Sequence, residues 1–64
     1  MALYFHIVEL ADGTWACRHG LQQYDQHQTR EQARRHIRCL ASQHRPASIY
    51  AHPRDARFEH LEDI

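Results

Sequence analysis

TREQARRHIRCLASQH, residues 29–44, has a start, a stop and an apolar period that agree on one amphipathic helix. Thr29 is suited to the N-cap, Gln32 three residues on completes a capping box, and Glu31 brings negative charge to the first turn, where the helix dipole favours it. Ala33, Ile37, Leu40 and His44 fall on one face, with Arg30 and Ala41 along one border and His36 along the other. Pro46 ends the run, because it pushes Arg45 out of the helical region and has no backbone N–H to give. A stripe of this kind has to lie on a second apolar surface.

The flanking segments supply that surface as strands. Leu3 to Leu10 is rich in aromatic and β-branched residues, runs into Ala11-Asp12-Gly13, and is followed by Thr14 to His19, which reads as a β-hairpin. A two-residue turn at Asp12-Gly13 would mix Tyr4, His6, Val8 and Leu10 with Trp15 and Cys17. A three-residue loop with Gly13 left-handed puts Leu3, Phe5 and Ile7 on the face of Trp15 and Cys17, and is the preferred register. The helix stripe is then expected over Phe5, Ile7 and Trp15. Gly20 to Gln28 is polar, with Leu21 and Tyr24 as its large apolar groups, and reads either as a short third strand or as a loop returning to the helix cap. Ala47 to His52 alternates as a strand does, Pro53-Arg54-Asp55-Ala56 carries turn chemistry with the proline at the second position, and Arg57 to His60 closes a second hairpin. The acidic ending Leu61-Glu62-Asp63-Ile64 is expected to fray. Together these elements predict an α+β fold: one small domain over residues 1–64, an antiparallel sheet of two hairpins with one helix packed on one face, in the order β-β-α-β-β, with a possible short extra strand before the helix.

Sixty-four residues bound the energetics. Such a chain buries roughly 60% of the surface its unfolded form exposes, and a core of this size supplies about 3–5 kcal/mol. A symmetric dimer that extends the core is therefore a reasonable expectation. The formal charge is zero with histidines neutral, which argues against the uniformly basic surface of a non-specific nucleic-acid binder. Every basic residue is arginine, lysine and asparagine are absent, and histidine and glutamine are plentiful; a GC-rich bacterial genome biases composition in this direction. MALYFHIVEL has neither the basic n-region nor the apolar length of a signal segment, and no run approaches the roughly 20 apolar residues of a membrane span. The expectation is a cytoplasmic protein with Cys17 and Cys39 as free thiols.

His6-Ile7-Val8, Asp12-Gly13-Thr14-Trp15-Ala16, Thr29-Arg30-Glu31-Gln32-Ala33 and the run from Ile49 through Tyr50-Ala51-His52-Pro53-Arg54-Asp55-Ala56 to Arg57 follow one another in an order that resembles the small bacterial family catalogued as domain of unknown function 2188. The resemblance covers nearly the whole chain. It implies a β-β-α-β-β domain and carries no established activity. Pro53 and Ala56 stand where that family's late hairpin has glycines, which bears on the turn type. The N-terminal part of HicB-like antitoxins is more loosely similar, with a strand, an Asp-Gly turn, an aromatic strand and a Thr-capped helix.

Candidate chemistry concentrates on the helix. Arg34, Arg38 and Arg45 line one flank of the apolar stripe, with Arg30 nearer the stripe and Arg35 further round. Guanidinium forks at that spacing can span phosphates of a nucleic acid. The same spacing is also that of a solvated helix face, with Glu31 pairing Arg35 one turn on. Seven histidines invite a metal reading, but His36 and His44 are two turns apart and no carboxylate or cysteine lies one turn from either on that face, so no metal site is expected. Neither cysteine has a histidine and an orienting group at catalytic spacing, so no catalytic residues are assigned. Trp15, Tyr24 and Tyr50 could stack bases on an open sheet face, although a tryptophan in so small a domain more often centres the core. The leading expectation is a non-enzymatic binding or regulatory module acting through protein contacts, including its own homodimer, with no cofactor and no membrane association. The alternatives are a nucleic-acid-binding domain that uses Arg30, Arg34, Arg35, Arg38 and Arg45, and a HicB-like antitoxin-type regulator.

Overall fold

The computed structural model describes residues 2–64; Met1, the first residue of the MALYFHIVEL stretch, lies outside them. The chain runs β1 (Leu3–Glu9), β2 (Trp15–His19), β3 (Gln22–His27), α1 (Arg30–Ser42), β4 (Ala47–His52) and β5 (Glu59–Asp63). The strands form one sheet in the order β3-β2-β1-β4-β5, and α1 lies across one face of it. The fold is α+β, with one alternative of the sequence reading decided and one correction. Residues 22–27 form the short extra strand rather than a loop, so three strands precede the helix. The sheet is mixed rather than antiparallel, since β1 and β4 pair in parallel with Phe5 opposite Ile49 and Ile7 opposite Ala51. The helix causes this: it crosses the sheet and returns the chain to the same end, so the next strand runs the way β1 does.

The first hairpin has the preferred register. Glu9 pairs with Trp15 and Ile7 with Cys17, the Leu10 N–H donates to Thr14 O at 2.8 Å, and Gly13 closes the three-residue loop at φ 88°. That conformation favours glycine. The second loop, Gly20-Leu21 between the paired His19 and Gln22, starts with Gly20 at φ 61°, as a two-residue hairpin of the II′ kind requires.

Helix α1 begins where its cap places it. Thr29 Oγ1 accepts from the Gln32 N–H at 3.1 Å, and Gln32 Oε1 accepts from the Gln28 N–H at 3.1 Å. The reciprocal bond of the box thus reaches one residue further back than the cap itself. The helix ends at Ser42, two residues short of the sequence expectation, with the His44 N–H donating to Ala41 O at 2.9 Å. Ala33, Ile37 and Ala41 are its buried residues and pack with Phe5, Ile7, Trp15, Cys17, Ala47, Ile49 and Ala51. The expected cover of Phe5, Ile7 and Trp15 is therefore present. His44 leaves the stripe for the exposed end of the helix, where its ring stacks near Phe5 at 6.1 Å.

The second hairpin also differs in detail. The Ala56 N–H reaches Pro53 O, which puts Pro53 at the first turn position rather than the second. The closing strand starts at Glu59 and includes Leu61 to Asp63, so the acidic ending does not fray. Ile64 and Ala47 exchange backbone bonds of 2.7 and 3.0 Å, and Leu61 and Ile64 pack against the core. Parallel pairing brings the two turns to one end, where Arg54 donates from its backbone to Glu9 Oε1 and from its guanidinium to Ala11 O.

Candidate functional site

Three surfaces carry the chemistry-bearing side chains. The first is the arginine flank. Arg30, Arg34 and Arg38 recur one turn apart on α1 and face acids of β5 that the helix sequence alone could not reveal. Arg30 pairs with Glu59 and its guanidinium also lies over the Trp15 ring at 5.7 Å. Arg34 Nε and Arg38 Nε lie 3.8 and 3.7 Å from Glu62 Oε1, a buried oxygen. Two cations sharing one carboxylate offset the cost of burying it. Three of the five arginines singled out by sequence thus have acidic partners, although Arg38 stays exposed. Arg35 and Arg45 are exposed as well, and no Glu31–Arg35 ion pair forms among the described residues.

The second surface is the sheet face that α1 leaves open. Strand alternation sends Tyr4, His6 and Val8 of β1, Arg18 of β2, and Tyr50 and His52 of β4 to this side. Phe58 joins them through ring contacts with Tyr50 and His52 at 5.8 and 5.6 Å, and His60 reaches Tyr50 at 5.1 Å. Phe58 and Tyr4 stay 62% and 54% exposed. Two open depressions share His6 and His52, one continuing to Val8, Arg18 and Gly20, the other to Tyr4, Tyr50 and Phe58. His6 Nδ1 lies 2.8 Å from His52 Nε2, so one ring donates to the other. Partial burial lowers the His6 pKa from its ordinary 6.5, and His52, Arg18 and His19 push in the same direction. Burial, and then Arg18, lower that of His52. The base-stacking trio that the sequence left open does not assemble, because Trp15 is 7% exposed and sits in the core under the helix, as the preferred reading has it.

The third surface lies on the helix side, at the edge made by β2, β3 and α1. A register shift in the β2–β3 ladder, between the Ala16–Gln26 and Arg18–Gln23 pairs, sets Tyr24 and Asp25 against the single residue Cys17. Bulges of this kind re-aim side chains. Asp25 and His27, two apart on a strand, then meet His36 from the helix. Asp25 Oδ1 is 2.9 Å from His36 Nδ1 and 3.3 Å from His27 Nε2, and the two ring nitrogens are 3.1 Å apart. Cys17 Sγ lies behind them, donating to Ala33 O at 3.5 Å. Burial and the charge of Asp25 push its thiol pKa from 9.0 up to about 11. The four ligand atoms lie within 4.8 Å of one another. Sequence reasoning missed this group because it looked along the helix for a second ligand, whereas three elements supply the four residues. Asp25-Gln26-His27, two ligand types at strand spacing, was the available signal. The other cysteine, Cys39, is exposed and free.

Searches against protein-family models, curated proteins and solved structures find no match to this chain. Among the described residues no helix is long and apolar enough to cross a membrane.

Proposed function

We propose that this chain is a non-enzymatic bacterial binding module of the cytoplasm that acts through protein contacts made by its open sheet face, either with a partner protein or with a second copy of itself. The observation that carries this reading is the patch of Tyr4, Tyr50, His52 and Phe58 on the sheet face the helix leaves open, with Tyr4 and Phe58 exposed. Contiguous exposed aromatics of this kind mark interaction surfaces, and tyrosine supplies contact area at low entropic cost. The looser similarity to HicB-like antitoxins is in keeping with a small regulatory protein. Nucleic-acid binding by the arginine flank is the second reading, and it has less support, because Glu59 pairs with Arg30 and Glu62 is shared by Arg34 and Arg38, which leaves one net positive charge on the five groups. Arg35, Arg45 and the exposed side of Arg38 are left to it.

Sedimentation of the pure chain and capture from a bacterial lysate test both readings with the same variants. Tyr4→Ser with Phe58→Ser is expected to abolish the dimer or the captured partner while keeping the fold. Arg34→Gln with Arg38→Gln is expected to leave them unchanged. The reverse pattern, together with a gel shift that weakens in every sequence alike and a log affinity against log salt slope flatter by about two units, overturns the protein-contact reading in favour of nucleic acid.

A further inference from the structure

We infer that Cys17, Asp25, His27 and His36 form a binding site for one first-row divalent cation, with Zn²⁺ the best match, that fastens the edge strand β3 to α1. The inference is independent of what the open sheet face binds. A tetrahedral ion about 2.0–2.2 Å from each nitrogen and oxygen ligand holds neighbouring ligand atoms about 3.3–3.6 Å apart. Asp25 Oδ1, His27 Nε2 and His36 Nδ1 form a triangle with sides of 2.9, 3.1 and 3.3 Å, somewhat tighter than that. A small outward shift of these side chains places the three around one point at coordination distance, and the larger sulfur of Cys17 stands within reach as the fourth ligand. One thiolate, two imidazoles and one carboxylate are a donor set for zinc; calcium and magnesium select oxygen ligands alone. On binding, the ion replaces the thiol proton of Cys17, which leaves to solvent, and the Sγ contact with Ala33 O is given up.

A second observation says what the ion would do. Strand β3, Gln-Gln-Tyr-Asp-Gln-His, buries no residue fully, so besides its ladder with β2 the edge is held mainly by the polar contacts of Asp25 and His27 with His36. Two of the ligands are on β3, one is on β2 and one is on the middle of α1. A small domain with a thin core gains from such a staple, since the binding free energy of the folded form adds to folding. The other histidine pair lacks these features: His6 and His52 face the guanidinium of Arg18, and no carboxylate or thiol joins them among the described residues.

The test uses the full chain with Cys39→Ser, so that Cys17 is its one thiol, stripped with a chelator and titrated with Zn²⁺ by calorimetry and with Co²⁺ by absorption. One ion per chain is expected, with a thiolate-to-cobalt charge-transfer band and tetrahedral ligand-field bands. Saturating Zn²⁺ is expected to raise the Tm by about 5 °C or more and to slow amide exchange in β3 more than in β5. Asp25→Asn and His36→Gln lie at the surface and should keep the metal-free circular dichroism spectrum while losing at least about tenfold in affinity. His6→Gln with His52→Gln should bind as the parent does. Absence of one-to-one binding overturns the site. So does a cobalt complex without the thiolate band, or binding that survives Asp25→Asn with His36→Gln but is lost with the open-face pair.

Discussion

Each face of the sheet carries a pair of histidines in ring-to-ring contact, His6 with His52 on the open side and His27 with His36 on the helix side, and the pairs differ in their neighbours rather than their spacing. The nitrogens are 2.8 Å apart in the first and 3.1 Å in the second. The open pair sits among Tyr50, Phe58 and the cationic Arg18. The helix-side pair sits beside the Asp25 carboxylate and the Cys17 thiol. A cation beside a pair repels a further positive charge, whereas a carboxylate attracts one. The open face is thereby suited to aromatic, uncharged contact and the helix-side edge to a metal ion. The open pair comes from β1 and β4 and the helix-side pair from β3 and α1, while β2 serves both, sending Arg18 to the open face and Cys17 to the covered one.

The largest effect expected from this asymmetry is in stability. Trp15→Ala removes the biggest side chain of the covered face and should cost about 3–5 kcal/mol, which is the whole stability of a domain of this size. Phe58→Ala on the open face should cost under about 1 kcal/mol, since a 62% exposed ring loses little on truncation. Urea unfolding followed by circular dichroism measures both. Equal costs would mean that the open face is part of a core, and the comparison between faces would fail.

How much of this asymmetry can be read from sequence depends on how local its cause is. The Thr29 cap, the Ala11-Asp12-Gly13 loop and the alternation of Phe5 and Ile7 with Trp15 and Cys17 are set by residues a few positions apart, and each is found where the sequence puts it. Strand direction is not local. The alternation of Ala47 to His52 is identical for a parallel and an antiparallel partner, so the β1–β4 pairing had to come from the path of the helix. Strand β3 stayed open between strand and loop because an edge strand exposed on both faces has no apolar period to find. The ending Leu61 to Ile64 looked uncapped for a related reason: what orders it is Ala47, seventeen positions away. The arginine flank was visible as a spacing, but its partners Glu59 and Glu62 come from a strand at the far end of the chain. The Cys17–His36 cluster needed the β2–β3 bulge, and no sequence rule places a bulge in so polar a strand.

A middle-sized effect tests whether the helix alone distinguishes the two sides. Thr29→Ala leaves the Gln32 N–H without its cap acceptor and should cost about 1 kcal/mol. The loss should appear as faster amide exchange in the first turn of α1, with the sheet amides of β1 and β4 unchanged. Equal acceleration throughout would show that helix and sheet open as one unit.

The smallest effect expected is a pH dependence confined to the open-face pair. Burial lowers the pKa of His6 and of His52 from 6.5, so the folded state prefers both rings neutral. Above 6.5 the rings are neutral in the folded and the unfolded chain, and the pair's contribution is fully present. As the pH falls below 6.5 the unfolded chain binds protons first, so stability drops, and the contribution is lost once the pH has passed through the lowered folded values. Protonating both rings also removes the ring-to-ring hydrogen bond, since neither nitrogen is left to accept. Asp12 and Asp63 do not disturb this window. Hydrogen bonds from Thr14, and from Ser48 and His60, hold their carboxyls below the usual 3.8, so their contribution is kept until far more acid conditions. Melting temperatures in chelator-containing buffer from about pH 7 to about pH 5, for the parent and for His6→Gln with His52→Gln, isolate the pair because His27 and His36 are common to both chains. The parent should lose more Tm than the variant on acidification, by a modest margin because both rings keep contact with water. Parallel curves would mean that the open-face pair is solvated like any surface histidine, and that Arg18 and the surrounding aromatic rings do not set it apart from the pair on the other face.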